Sequence, residues 1–324
     1  MSERPRLRSP NGYLVPATVL SFRVGKHIRD SPRVDLYVCA RRPGLSRSYL
    51  QSVIAEGAVR VNEEVVRASK RVKAGDRIEV LIGRDRDEPL VAEDLPLSVL
   101  FEDDHVIAVD KPAGLACQPR HRHEGGRLVN RLVHHLSAKA GAYRAPFVVH
   151  RLDQDTTGVV VYAKTAEAVR NLYWQFRRRE VEKWYLALVE GVPADGSFVV
   201  EAPIGRDPGC RERRMVRPDG KPARTRVEVR ERHGTAALVA LLLETGRTHQ
   251  IRVHLAHAGF PVVGDGMYGG RERVLGPGGE TLLDRQALHA ERIQFVHPAT
   301  GELTVLRAPV PDDFSRALAV LRAE

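Results

Sequence analysis

Apolar residues recur at Leu50, Val53 and Ile54, the spacing of one helix face, behind a Ser46 able to cap that helix and ahead of a Gly57 able to end it. The period then changes. AVRVN and EVV alternate around Asn62 and Glu63 as a short hairpin, and RIEVLI alternates again after a turn at Gly75 and Asp76. Residues 33–84 are thus predicted as a helical pair followed by small strands. Further along, HVIAVD runs into the tight Lys-Pro-Ala-Gly bend of DKPAGL, and the strand-like FVVH and GVVVYA flank residues 151–157. EKWYLALVEG alternates with Lys183 and Tyr185 on one face and Trp184 and Leu186 on the other. HQIRVHL also alternates, which predicts another strand, and a glycine-rich loop follows it.

A chain of 324 residues has room for two domains with real cores. Its longest apolar run, residues 236–243, is too short to span a bilayer. The first residues lack the apolar core of a secretory signal, and three scattered cysteines make no disulfide framework, so the cytoplasm is the expected compartment. Charge changes the picture more. There are 51 Lys and Arg against 41 Asp and Glu, a net charge of +10, and only 8 of the basic residues are Lys. Arginine suits RNA, offering a planar fork to phosphate and a face to bases, although a GC-rich genome yields the same bias. Residues 33–84 hold eleven basic and six acidic residues, whereas residues 85–104 hold one and eight. The division predicted is a basic extension over 1–32, a basic module over 33–84, an acidic solvated linker over 85–98 and a second domain over 99–324.

Two segments carry candidate chemistry. RLDQDTT places Asp153 on a loop between two strands, where a carboxylate serves as nucleophile, base, metal ligand or plain turn residue. Arg247, Thr248, His249, Gln250 and Arg252 crowd one short run, too polar to bury without partners, which predicts a wet groove. Tyr185 suits either a half-buried sheet position or a site.

The module over residues 33–84 resembles the small RNA-binding S-four domain, through the SRS before its helix, the GAVRVN after it and the late AGDRIEV. Arg41, Arg42, Arg47, Lys70, Arg71 and Lys73 are its candidate RNA contacts. HRLDQDTTG, with DKPAGL, KWYLALVEG, KPARTRVEV, TGRTHQIRVHL, GDGMYG and ALHAERIQFVHPATGE, resembles in order the RluA-type family of RNA pseudouridine synthases across residues 99–324. Thr157 stands where that family commonly has Ser, and CQPRHRHEGGRLVN is richer in Arg and His than usual.

The resemblance implies an α+β protein, its catalytic domain built chiefly on antiparallel sheet flanked by helices. It implies isomerisation of uridine to pseudouridine with no cofactor and no metal, acting on large-subunit ribosomal RNA, with transfer RNA as the alternative substrate and a monomer as the working state. It gives Asp153 as the essential carboxylate, Arg247 as the guanidinium that keeps it ionised, and Tyr185 as the residue that stacks on uracil and helps remove the C5 proton. Ile251 is the apolar floor, and His150, Thr156 and Arg252 line the substrate. A buried uridine must be extruded, and Arg151 matches the family arginine that fills the vacated space. A metallohydrolase built on His249, His254 and His257 with Asp153, and a noncatalytic ribosome-assembly factor, are the competing classes.

Overall fold

Alternating apolar residues make strands here, and where both faces of a strand are apolar a helix covers each. The structure, a computed structural model, describes residues 6–8, 14–26, 28, 30–42, 45, 47–55, 57–83, 90–118 and 124–323. These form two compact units, one up to residue 83 and one from residue 90.

The first unit contains β1 (Arg6–Arg8), β2 (Leu14–Arg23), α1 (Val34–Arg41), α2 (Arg47–Ala55), β3 (Val59–Val61), β4 (Glu64–Val65) and β5 (Arg77–Gly83), its sheet ordered β1-β2-β5-β3-β4. Leu50, Val53 and Ile54 of α2 pack with Val34 and Val38 of α1 onto Val59, Ile78 and Val80, as their spacing predicts. Asn62 and Glu63 both take positive φ, the turn that a two-residue hairpin requires. Ser46, the expected helix cap, lies outside the described residues, as do residues 85–89 of the expected linker and residues 119–123 of its Arg/His-rich neighbour. Two expectations are corrected. Residues 14–23, placed in a basic extension, form β2 and pair with β5 from Ala17–Gly83 to Arg23–Arg77. The remaining linker residues are tied to the second unit: Glu93 accepts from Gly126 N–H, Asn130 donates to Val91 O, and Arg131 donates to Pro96 O. Residues 91, 92, 94–96 and 98 are exposed, as the acidic composition suggested, while the Glu93 carboxyl and the Val91 and Pro96 carbonyls serve the start of a helix.

The second unit is one ten-stranded sheet with helices on both faces. Its strands are β6 (Ser98–Glu102), β7 (Val106–Lys111), β8 (Phe147–Val148), β9 (Thr157–Ala163), β10 (Glu182–Glu190), β11 (Ser197–Glu201), β14 (Arg224–His233), β15 (Ala236–Leu243), β18 (Leu288–Val296) and β19 (Leu303–Arg307). Two small ribbons, β12 (Ile204–Arg206) with β13 (Arg214–Val216) and β16 (Val274–Leu275) with β17 (Thr281–Leu283), stand apart. The main order is β11-β14-β15-β10-β18-β9-β7-β6, with β19 on β18 and β8 on β9, and all pairs are antiparallel except β18 with β9. The helices are α3 (Leu128–Ala140), α4 (Ala166–Arg178), α5 (Gln250–His257) and α6 (Asp312–Ala323).

β7 and β9 show why two layers of helix are needed. Ile107, Val109, Val160 and Tyr162 point to one core with Leu128 and Leu132 of α3, while Val106, Ala108, Val159 and Val161 point to another with Ala168 and Leu172 of α4. Each fully buried leucine contributes about 1.5–3 kcal/mol. The buried centre of the sheet holds the ends of β9, β10, β15 and β18 in place, and the candidate residues sit on those ends.

Candidate active site

Asp153 occupies the first position of a tight turn between β8 and β9, its carbonyl accepting from Thr156 N–H at 3.2 Å. The turn is clamped from below. Buried Lys111 donates through Nζ to Pro112 O, Leu115 O and Gln154 O at 2.7–2.8 Å, so the lysine of DKPAGL ties its own bend to the Asp153 loop. The Cys117 thiol accepts from Leu152 N–H at 3.3 Å, Arg285 donates to Asp155 O, and Gln286 donates to the Thr156 hydroxyl. Thr156 is therefore buried and hydrogen-bonded within the loop, while still bordering the cavity. The departure from the family, Thr157, uses its hydroxyl to meet His289 Nδ1 at 2.9 Å. Gly158 follows at φ +112, where a Cβ would lie 2.2 Å from Ala290 O, so only glycine lets β9 meet β18 here.

Above this loop lies a cavity of about 500 Å³, a size suited to a small-molecule group. Asp153, Tyr185, Ile251, Arg151, Lys183 and Arg252 are among its walls. The Asp153 side chain is 23% exposed, and its Oδ2 lies 3.6 Å from Arg252 Nη1 and 4.0 Å from His249 Nε2. Arg252 is itself held by two short hydrogen bonds to buried Asp265, at 2.6 and 2.8 Å, and its guanidinium lies 4.9 Å from the Tyr268 ring centre. Tyr268 accepts Arg214 N–H at 2.9 Å, leaving its own proton for His249 Nδ1 at 2.8 Å, which turns His249 Nε2–H toward Asp153.

Two expectations fail here for one reason. HQIRVHL is not a strand; residues 250–257 form α5, started by Gln250, whose side chain accepts from the Thr245 hydroxyl and from Arg247 N–H and donates to Arg224 O. Residues 250–255 are all buried, so no polar face betrays the helical period, and a helix hydrophobic or paired all round looks like anything in sequence. With a helix in place of a strand, the arginine that reaches Asp153 is Arg252, expected to contact substrate. Arg247 precedes the helix and donates to Pro222 O at 3.0 Å. Its expected pairing with Asp153 is absent, because the chain turns into α5 after it.

Tyr185 lies on β10, 7% exposed, where the β10–β18 register slips between Trp184 and Leu186. Burial, with the nearby Asp153 charge, pushes its phenol well above the ordinary tyrosine range, so it is protonated at neutral pH. Lys183 shares its face toward the cavity, and burial brings that amine down to about 8. His150 Nε2 accepts Val161 N–H at 2.9 Å and its ring stacks on Phe176 at 5.1 Å. Burial and then the Lys183 charge push His150 down to about 3, making it a neutral strut of β9. Arg151, at the rim, donates to Thr248 Oγ1 at 3.0 Å. His254 has both ring nitrogens engaged, with Thr225 Oγ1 and Ala202 O, so it is a packed strut of the sheet. Among the described residues no group of three His, Cys, Asp or Glu could hold a metal ion.

In the first unit all six candidate RNA contacts are exposed. Arg47 also donates to buried Asp35 at 3.2 Å, Arg71 donates to Asp30 O and Ser31 O, and Arg41 lies over the Tyr37 ring. Arg42, Lys70 and Lys73 present the plainer exposed charges. Sequence reasoning missed Lys111, Cys117, Asp265 and Tyr268. The DKPAGL and GDGMYG motifs marked three of the four, with no sign of which atoms they hold.

A model of the family described as RNA pseudouridylate synthase matches residues 105–257, and an S4 domain model matches residues 32–78. A protein of Nitrosomonas europaea named ribosomal large subunit pseudouridine synthase D is 42% identical over 90% of this chain and 84% of its own length. One of the same name from Pseudomonas aeruginosa is 39% identical over 95% of this chain and 96% of its own. Among solved structures, human RNA pseudouridylate synthase domain containing 4 is 27% identical with a TM-score of 0.56, covering 69% of this chain and 93% of that one.

Proposed function

The chain belongs to the RNA pseudouridylate synthase family, and on that premise we propose that it converts uridine to pseudouridine in large-subunit ribosomal RNA with Asp153 as the essential carboxylate. The observation that carries the assignment of Asp153 is its setting: a partly exposed carboxylate at the base of a cavity, with a cation beside it and no hydrogen bond to its Oδ1 among the described residues. The ribosomal substrate rests on the names of the relatives and on the S4 module.

The reaction breaks the N1–C1′ bond, turns the uracil, joins C5 to C1′, and moves one proton off C5 while N1 gains one. No net oxidation occurs. Asp153 attacks or stabilises the reacting nucleotide, and Arg252 sets a positive charge 3.6 Å from its carboxylate in the cavity. Arg252 is in turn aimed by Asp265, which makes Asp265 a positioning residue. Tyr185, neutral in the free enzyme, meets uracil as a stacking face and passes on its own proton if it takes the one from C5. Ile251 closes the apolar side. The target must leave its stack, at a cost of a few kcal/mol, and Arg151 at the rim has the reach and planar head to occupy the gap.

The test is carbodiimide mapping of ribosomal RNA from a strain lacking this protein. Loss of one or more large-subunit signals, restored by the intact gene and not by an Asp153→Asn gene, is the expected result. An unchanged large-subunit map would overturn the proposed substrate.

A further inference from the structure

Helix α4 carries two opposed stripes. Its inward one, Ala168, Leu172, Gln175 and Phe176, holds the helix to the sheet, with Gln175 exchanging hydrogen bonds with Val296 N–H and O. The outward one repeats at the same period: Arg170, Tyr173, Trp174, Arg177 and Arg178. Tyr173 and Trp174 are 52% and 51% exposed and meet edge to face at 5.6 Å. The guanidinium carbons of Arg177 and Arg178 both lie 5.7 Å from the Trp174 ring centre, and Arg177 donates to the Tyr173 hydroxyl at 3.2 Å. Packing asks for none of these outward residues.

Several surface arginines of this unit are matched by acids, as in Arg217 with Asp219, Arg226 with Glu244 and Arg322 with Glu231, and others such as Arg144 and Arg211 stand singly among the described residues. Arg170, Arg177, Arg178 and Arg179 pair with no carboxylate among the described residues. The stripe is also continuous with the cavity, since Phe176, Arg177 and Arg179 form part of its wall. Arg179, the residue just past the end of the helix, is turned there by a left-handed backbone at φ +63.

We propose that the outward face of α4 is a docking track for single-stranded RNA leaving the cavity, with a base beside the target uridine stacked on Trp174 and its phosphates held by Arg177 and Arg178. An indole with cations against it offers what an unpaired base needs, a flat face flanked by charge, and stacking of this kind tolerates any base. From Arg170 to Arg178 the stripe runs about 12 Å along the helix, room for a short run of nucleotides. An acidic protein would use the charges but not the half-exposed indole. The inference rests on the proposed RNA substrate, and its test is arranged so that the two fail separately.

Trp174 and Trp184 are the two tryptophans of the chain. In a full-length protein carrying Trp184→Phe, Trp174 alone reports, and Asp153→Asn in the same protein stops turnover, so binding is read independently of chemistry. Titration with a single-stranded RNA containing a candidate target uridine should quench Trp174 emission on saturation. Trp174→Ala should weaken that binding about tenfold, the effect of losing one stacked base, and Trp174→Phe should recover most of it. Arg177→Gln with Arg178→Gln should lower the slope of log affinity against log salt by about 1.4, the share of two phosphate contacts. In the active protein, the Trp174→Ala loss should appear in KM. RNA that binds without quenching Trp174, and binds the Trp174→Ala protein as tightly, would overturn the track and leave the face to a protein partner. A parent protein that makes no pseudouridine in ribosomal RNA would overturn the functional reading, whatever the fluorescence shows.

Discussion

Asp35 in the first unit and Asp153 in the second are both aspartates beside arginine, and they differ in what their oxygens have left to do. Asp35 is fully buried and saturated: Arg33 donates to both oxygens at 3.0 Å, and Arg47, Gln51 and Leu36 N–H add three more bonds. Burial alone would raise its pKa, but the bonds from Gln51, Arg33 and Arg47 outweigh it and hold the carboxyl below its ordinary value. Asp153 has charge compensation without saturation. Arg252 approaches it at 3.6 Å because the short, well-aligned bonds of that guanidinium are spent on Asp265. A structural carboxylate uses its lone pairs on the protein, and a reactive one keeps some for the substrate.

The comparison is broken most sharply by the same isosteric change at both sites. Asp153→Asn should lower turnover, measured by tritium release from RNA labelled at uridine C5, by about four orders of magnitude, while the melting temperature and RNA affinity stay near those of the parent. Residual activity near the parent rate would remove Asp153 from the mechanism. Next in size, Arg252→Ala should cost about a thousandfold in rate, and also about 3 kcal/mol in stability because buried Asp265 loses its partner. Arg252→Lys should return part of both. Arg247→Ala should cost less than about tenfold, the scale of a rim contact; the opposite ranking would reverse the assignment that the geometry makes. Tyr185→Phe should slow turnover about a hundredfold, the low end of acid–base catalysis, without weakening RNA binding. Asp35→Asn should do the reverse of Asp153→Asn: thermal denaturation should show a loss of about 3 kcal/mol, with turnover of a short substrate unaltered.

Much of this was legible along the chain. The spacing of Leu50, Val53 and Ile54 sufficed for α2, and the alternation of HVIAVD and GVVVYA sufficed for β7 and β9, because each is a regular element with one period. Asp153 was singled out by the resemblance of HRLDQDTTG to the family motif, since its place on a loop between two apolar strands alone suits a plain turn residue as well. What could not be read was which arginine meets it. Arg247 and Arg252 sit in one motif, and the choice depends on whether the intervening residues form a strand or a helix. Residues 250–255 are buried on every side by Asp265, Thr225, Ala202 and the sheet, partners distant in sequence. The amphipathic signal that separates helix from strand was therefore missing. Lys111 was hidden for a similar reason, since its three acceptors are backbone carbonyls that carry no residue code.

The smallest effect expected is a pH dependence that separates the two units. In the second unit, burial pushes His150 down to about 3 and His289 to about 4, and lowers His254 as well. The unfolded chain takes up these protons first, near pH 6.5, so the folded unit has its full stability above that value and loses it as the pH falls toward the folded-state values. The first unit depends instead on Asp35 and Asp76, both held below their ordinary pKa by hydrogen bonds that outweigh burial. Their contribution is present above about pH 4 and is lost only below it. Both tryptophans lie in the second unit, so their emission follows that unit alone. Between pH 7 and 5 the tryptophan-reported melting temperature should drop by a few degrees. His150→Gln, which keeps an acceptor for Val161 N–H but cannot titrate, should flatten that slope. A transition that holds its temperature down to pH 5 in the parent would mean that these imidazoles are not confined to their neutral form.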